Sequence, residues 1–190
     1  MLIEAGIRFA ALLAGSTGHI YSFEPERSNF EHLKMAVRMG KLNNVTLFRL
    51  ALGDKDGVAT LYLSKRPSMH SVVLKRGYKQ VNVPCVRLDL LVKRGLIKHL
   101  DLIKLDEGAE LAVLKGSVTT IGMFKPIFSI DANRYPREYD DVILFLRSFD
   151  YTCSPLHKYD DKPHSLVCYH PIKANLARKL IDFNVDLLGC

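Results

Sequence analysis

DLIKLDEGAELAVLKG, residues 101–116, passes from an apolar run to two acids and then to a helical pattern, and that order decides the fold class. Asp101 to Leu105 reads as a strand ending in Asp106 and Glu107. From Ala109 to Val118, Leu111, Leu114 and Val118 recur at i, i+3 and i+7, with Lys115 near the end where a cation suits the helix dipole. The theme repeats on both sides. Residues 18–25, GHIYSFEP, read as a short strand closed by Glu24 and by a proline that prevents simple continuation, and residues 126–131, PIFSID, end in Asp131.

Between these segments lie helical and strand patterns in alternation. Ser28 and Glu31 have capping-box spacing, and Phe30, Leu33, Lys34 and Val37 keep a 3.6-residue period to about Gly40. VTLFRLAL, residues 45–52, reads as one strand closed by Gly53-Asp54; VATLYL follows the Asp56-Gly57 turn, and Val81 to Leu88 resumes the pattern. A helix is expected from Asp89 to about Lys98. Tyr139, Val142, Ile143 and Leu146 mark a further helix face, and Tyr151 to Leu156 and Ser165 to Tyr169 read as two closing strands able to form a hairpin. Alternating strands and helices predict an α/β fold, a mostly parallel sheet with helices on both faces and an antiparallel edge. With 190 residues and no repeat or low-complexity linker, residues 1–190 form one domain. Its first strand is expected to be short and truncated ahead of Glu4, and about residues 172–190 are expected to form a C-terminal helix.

Composition bounds the function. Hydrophobic residues at 48% and charged residues at 25% fit a globular protein with a real core. No apolar run approaches the roughly 20 residues that span a bilayer, and the first residues lack a signal-peptide layout, so the expected address is cytoplasmic. Cys85, Cys153, Cys168 and Cys190 are widely spaced and are read as four unpaired thiols; no metal-ligand cluster is apparent. The net charge of +7 would favour anionic partners, but Lys and Arg are spread along the chain, which equally serves solubility.

In open α/β sheets ligands bind beyond the carboxyl ends of the strands. Glu4, Glu24, Asp106, Glu107 and Asp131 all fall at such ends. Each can instead cap the following helix. Glu24 has the strongest functional case, because a carboxylate after the second strand accepts hydrogen bonds from both hydroxyls of a ribose, whichever adenosine ligand carries it.

Five tracts in order carry a family resemblance: Tyr21-Ser22-Phe23-Glu24-Pro25, Ala51-Leu52-Gly53-Asp54-Lys55-Asp56-Gly57, Val83-Pro84 through Leu88-Asp89, Asp101-Leu102-Ile103-Lys104-Leu105-Asp106, and Glu107-Gly108-Ala109-Glu110-Leu111 with Val113-Leu114-Lys115-Gly116. Together they resemble the FkbM family of methyltransferases. The resemblance implies a class I methyltransferase (Rossmann-like) fold with a seven-stranded sheet, S-adenosylmethionine as donor, and O-methylation of a hydroxyl on a sugar or small natural product. By position it puts Glu4 and Gly6 in the glycine turn around the methionine moiety, Glu24 on the ribose, and Ala51 and Leu52 near the adenine. Asp106, Glu107 and Glu110 then fall beside the transferring methyl. Two places depart from the family pattern. Gly6 is followed directly by Ile7-Arg8-Phe9 with no second glycine, and no apolar residue separates Asp106 from Glu107.

A hydroxyl acceptor needs its proton removed, so Asp106 or Glu107 is the first candidate for general base and His70 the second. Ser71, Glu110 and Asp131 are candidate acceptor contacts. The polar stretch Ser64 to Lys79, with Lys65, Arg66, Lys75, Arg76 and Lys79, is read as a lid that attracts an anionic acceptor. Two rivals remain at this level: an RNA methyltransferase on the same scaffold, against which stands the absence of an RNA-binding module or aromatic-basic interleaving, and a non-catalytic module that binds an adenosine ligand.

Overall fold

Strand β7, Ile127–Asp131, shows how the fold is layered. In this computed structural model, which describes residues 2–63, 79–106, 109–131, 136–159 and 162–182, Phe128 and Ile130 turn one way and Ile127 the other. The first pair enters a core with Leu105, Val113, Leu114, Val142, Leu146 and Leu166, drawn in part from α4 (Glu110–Lys115) and α6 (Pro136–Arg147). Ile127 instead meets Val167 and Ala177, the latter on α7 (Ala174–Asp182). This sheet has the order β6-β7-β9-β8, with β6 at Leu102–Leu105, β8 at Thr152–Tyr159 and β9 at Lys162–Tyr169. The β6–β7 pair is parallel, and the closing hairpin supplies the antiparallel edge.

The α/β architecture and the hairpin are as the sequence predicts; a single seven-stranded sheet is not. Among the described residues nine strands form three separately hydrogen-bonded sheets. Strands β1 (Ile20–Phe23) and β2 (Val45–Phe48) make a parallel pair, and β3 (Ala51–Leu52), β4 (Gly57–Leu63) and β5 (Lys79–Val86) form a mixed sheet in the order β3-β5-β4. The run 45–52 is therefore two strands: its first half pairs with β1 and its second with β5, so the chain breaks at Arg49-Leu50 to change partner.

The N-terminal segment is a second correction. Leu2–Ala14 is helix α1, and among the described residues no strand precedes it. Ile7 and Ala11 are buried at i and i+4, and a 13-residue stretch rich in Ala and Leu is a strong helix former that absorbs one glycine at about 1 kcal/mol. Helix α2, Arg27–Met39, is capped not by Ser28 but by Glu26, whose carboxylate accepts from the Asn29 N–H at 2.7 Å. Helix α3 is shorter than expected, Leu88–Lys93, because Gly95 takes a left-handed φ of 70° and the Leu96 N–H turns back to the Leu91 carbonyl. Residues 183–190, the end of the expected C-terminal helix, lie outside the described residues, as do residues 64–78 of the expected lid.

The expected helix Ala109 to Val118 is two helices, α4 and α5 (Val118–Phe124), and the corner between them organises the centre of the molecule. Ser117 Oγ donates to the Val113 carbonyl, and Asp89 caps α5 from α3, accepting from the Thr119 and Thr120 N–H groups at 2.9 and 2.8 Å and from Thr120 Oγ1 at 2.6 Å. Gly116 stands at the turn with its Cα against the carbonyl of Gly53, leaving no room for a Cβ. The cysteine reading also changes. Cys153 and Cys168, directly opposite in the β8–β9 register, form a disulfide, while Cys85 is a free buried thiol.

Two glycine substitutions separate these effects. Gly116→Ala drives a methyl group into backbone and is expected to destabilise by about 3 kcal/mol in urea unfolding. Gly122→Ala, inside α5 with open space around it, is expected to stabilise by roughly 0.5–1 kcal/mol from helix propensity. Equal midpoints for the two proteins would contradict this account of the corner.

Candidate cofactor and active site

Few polar side chains are buried in the described residues. Among them Ser117 and Thr120 are accounted for by the α4–α5 corner, leaving two acids: Glu24, 8% exposed, and Glu110, 6% exposed. A buried carboxylate is expensive unless it is hydrogen-bonded or neutral. Both acids were singled out by sequence.

Glu24 follows β1. Its N–H continues the β1–β2 ladder to the Phe48 carbonyl at 3.1 Å, which fixes the backbone, and its Oε1 accepts from the Glu26 N–H at 2.8 Å. The Asn29 side chain on the first turn of α2 favours the charged form of the carboxylate. Burial pushes the carboxyl up from an ordinary 4.5 to about 7. The Glu26 N–H and Asn29 pull it down, while the negative Glu26 side chain adds to the rise. When ionised, the group is an acceptor held at a strand end by the Glu26 N–H, and a carboxylate has about four acceptor sites.

Strands β1, β3 and β6 share a core. Tyr21 and Phe23 of β1, Leu52 of β3 and Ile103 of β6 all pack against Leu88, Leu91 and Ile97. Ala51 is buried against Leu61, Leu63, Val83 and Cys85, so its neighbour Leu52 is the β3 residue that reaches this common core. Along β6 and β7, Leu105 pairs with Ile130, and the next positions in that register are Asp106 and Asp131. Two carboxylates thus end adjacent parallel strands, which run about 4.8 Å apart. Lys104 Nζ lies 3.7 Å from Asp106 Oδ2. Glu110 opens α4, where the helix dipole favours an anion.

Several sequence candidates fall elsewhere. Glu4 and Gly6 lie inside α1, so the strand-to-helix turn read there is not formed. Glu107, His70 and Ser71 lie outside the described residues. Sequence reasoning missed Glu26 and Asn29, the groups that act on Glu24; the Glu-x-x-Asn spacing was the available signal, hidden because glutamate is not among the favoured capping residues. Among the described residues no group of three or more His, Cys, Asp or Glu could hold a metal ion, and no helix is long and apolar enough to cross a membrane.

Comparison with known proteins adds a family. The family model described as the Methyltransferase FkbM domain matches residues 4–153. Among solved structures, methyltransferase FkbM from Methylobacillus flagellatus KT superimposes with a TM-score of 0.62 at 20% identity, covering 89% of this chain and 42% of that one. The chain therefore spans less than half the length of that protein. No curated protein matches.

The raised Glu24 pKa has a stability consequence. The folded state holds this proton more tightly than the unfolded chain, so stability is undiminished below about 4.5 and falls as pH rises to about 7. At about 1.4 kcal/mol per unit, the loss is on the order of 3 kcal/mol. Glu24→Gln is therefore expected to melt above wild type at pH 8, with the gap closing toward pH 4.5; thermal melts showing a pH-independent gap would refute the burial penalty.

Proposed function

The chain belongs to the FkbM methyltransferase family, and from that membership we propose that it is an S-adenosylmethionine-dependent methyltransferase acting on a hydroxyl of a sugar or small natural-product acceptor. Membership supports the methyltransferase role; donor and acceptor are the proposal. The observation that carries it is Glu24, a carboxylate buried beyond β1 that, among the described residues, accepts from the Glu26 N–H. Its carboxylate oxygens can accept from the vicinal hydroxyls of a ribose. Leu52, half-buried at the end of β3, offers an apolar edge to the base.

When bound, the sulfonium cofactor supplies an electrophilic methyl group. This chain's own task is to bind, orient and deprotonate the acceptor. Asp106 is the proposed general base: half-exposed at the end of β6, it receives the hydroxyl proton as the oxygen becomes nucleophilic. Asp131, next to it in register, and Glu110 at the start of α4 are proposed to hold the acceptor's other hydroxyls. Roles for Glu107, His70 and Ser71 in deprotonation and acceptor binding rest on sequence alone.

The place of Glu4 and Gly6 inside α1 favours a second reading, because the described residues then offer no glycine turn to the methionine end: a module that binds an adenosine ligand without catalysis. One pair of measurements separates the two. Calorimetry with S-adenosylhomocysteine should show binding that Glu24→Ala weakens at least about tenfold, the loss of a charge-assisted hydrogen-bond pair. Methyl release over a panel of hydroxylated acceptors should then show turnover. Asp106→Asn should lower kcat by roughly 10²–10⁴ while leaving affinity for S-adenosylhomocysteine within about threefold. Binding without release on any acceptor would favour the non-catalytic module, and unchanged turnover in Asp106→Asn would remove Asp106 as base.

A further inference from the structure

Helix α1 turns an unusual face outward. It packs against α2 and buries Ile7 and Ala11, yet among its described side chains the exposed ones are Phe9, Leu12 and Leu13, with one cation, Arg8. A surface helix ordinarily gives water its charged and polar residues. The neighbouring helix extends the apolar patch, for Met35 and Met39, one turn apart on α2, point away from buried Leu33 and Ala36. Leu12 is 74% exposed and Met39 71%, so the folded core gains little from either. Five of the thirteen exposed large hydrophobic residues described fall on these two helices. Exposed hydrophobics scattered singly need no explanation; a group on two packed neighbours marks a contact surface.

The rim of this patch is basic. Arg8 Nε lies beside Gly40, the residue that ends α2, and Arg38 and Lys41 flank the same glycine. Among the described residues Arg8, Arg38 and Lys41 form no ion pair, whereas Lys34 is paired with Glu31 at 3.9 Å. The negative end of α2 carries about half a charge and offsets less than one of the three. Unpaired cations gathered beside an apolar face attract an anionic partner that can also take up apolar side chains.

We propose that the outer face of α1 and α2 is a peripheral membrane-binding surface for anionic phospholipid. Phe9, Leu12, Leu13, Met35 and Met39 enter the boundary between headgroups and acyl chains, with α1 lying in the plane of the interface. Arg8, Arg38 and Lys41 stay at the level of the lipid phosphates, their stems along the apolar surface. A second copy of this chain is a poorer occupant, because two-fold pairing through this face would bring two basic rims to one interface. The surface lies outside the Glu24 site, and the inference does not depend on the reading of that residue.

The test is flotation of the full chain with vesicles of phosphatidylcholine alone and of phosphatidylcholine containing about one-third phosphatidylserine. Binding to the anionic vesicles should exceed binding to the neutral ones at least about tenfold and should weaken as salt rises from about 0.1 to 0.5 M. Leu12→Gln/Leu13→Gln, which leaves the net charge alone, should weaken anionic-vesicle binding at least about tenfold. Arg8→Gln/Arg38→Gln should weaken it roughly thirtyfold and remove most of the preference for phosphatidylserine. The chain contains no tryptophan, so Leu12→Trp supplies a single reporter in an otherwise native protein. Its emission should shift to the blue on anionic vesicles and be quenched by lipid brominated near the headgroup. No binding to anionic vesicles, binding that neither double variant alters, or a tryptophan that stays in water on bound vesicles would overturn the proposal. A concentration-dependent dimer in lipid-free solution that Leu12→Gln/Leu13→Gln abolishes would overturn it too, and would assign the face to a second copy.

Discussion

The closeness of Gly116 to the Gly53 carbonyl sets how the parts of this molecule fit together. Two backbones meet there with no side chain between them, one from the end of the β3 strand and one from the α4–α5 turn. The Gly116 carbonyl also accepts from the Asp89 N–H at 3.1 Å, and Asp89 caps α5 with its carboxylate, so β3, α3, α4 and α5 are joined within a few residues. Leu52 and Ile103 then bridge two apolar clusters, one under α3 and one under α4 and α6. Close packing makes such a junction intolerant of an added methyl group. It also explains why β1, β3 and β6, which share no hydrogen-bonded sheet, converge on one core.

On that frame sits a costly group. Glu24 is buried, and its raised pKa means that the folded protein works against its ionisation. A stable core would not need it: a neutral side chain of the same size would serve packing better above neutral pH. Its retention makes sense if the carboxylate is wanted for what it accepts, and the loop that surrounds it supplies an N–H donor instead of a counter-cation. The Glu26 N–H orients the group, as the proposed diol-binding role requires.

The acids at strand ends were legible because each ends an apolar run and precedes a helix, an arrangement that a linear pattern displays. The hairpin at the C-terminal side was legible for the same reason, but not its disulfide, since which residues face each other across β8 and β9 depends on register, and spacing alone does not carry it. The break between β2 and β3 was invisible because apolar residues continue through it and only the change of partner strand forces it. Leu2–Ala14 was misread because Glu4 followed by Gly6 resembles a strand-end turn, whereas helix propensity and the Ile7–Ala11 spacing govern the segment. The split of α4 from α5 depends on Gly53 and Asp89, more than 25 residues upstream, so no local window contains it.

At Glu24, burial and hydrogen bonding support the proposal of an adenosine ligand held by its ribose. A crystal structure of the chain with S-adenosylhomocysteine tests that claim most directly. The account predicts both ribose hydroxyls within hydrogen-bond distance of the Glu24 carboxylate, with the sulfur end directed toward Asp106. A nucleoside bound away from Glu24, or with its ribose turned to solvent, would contradict it.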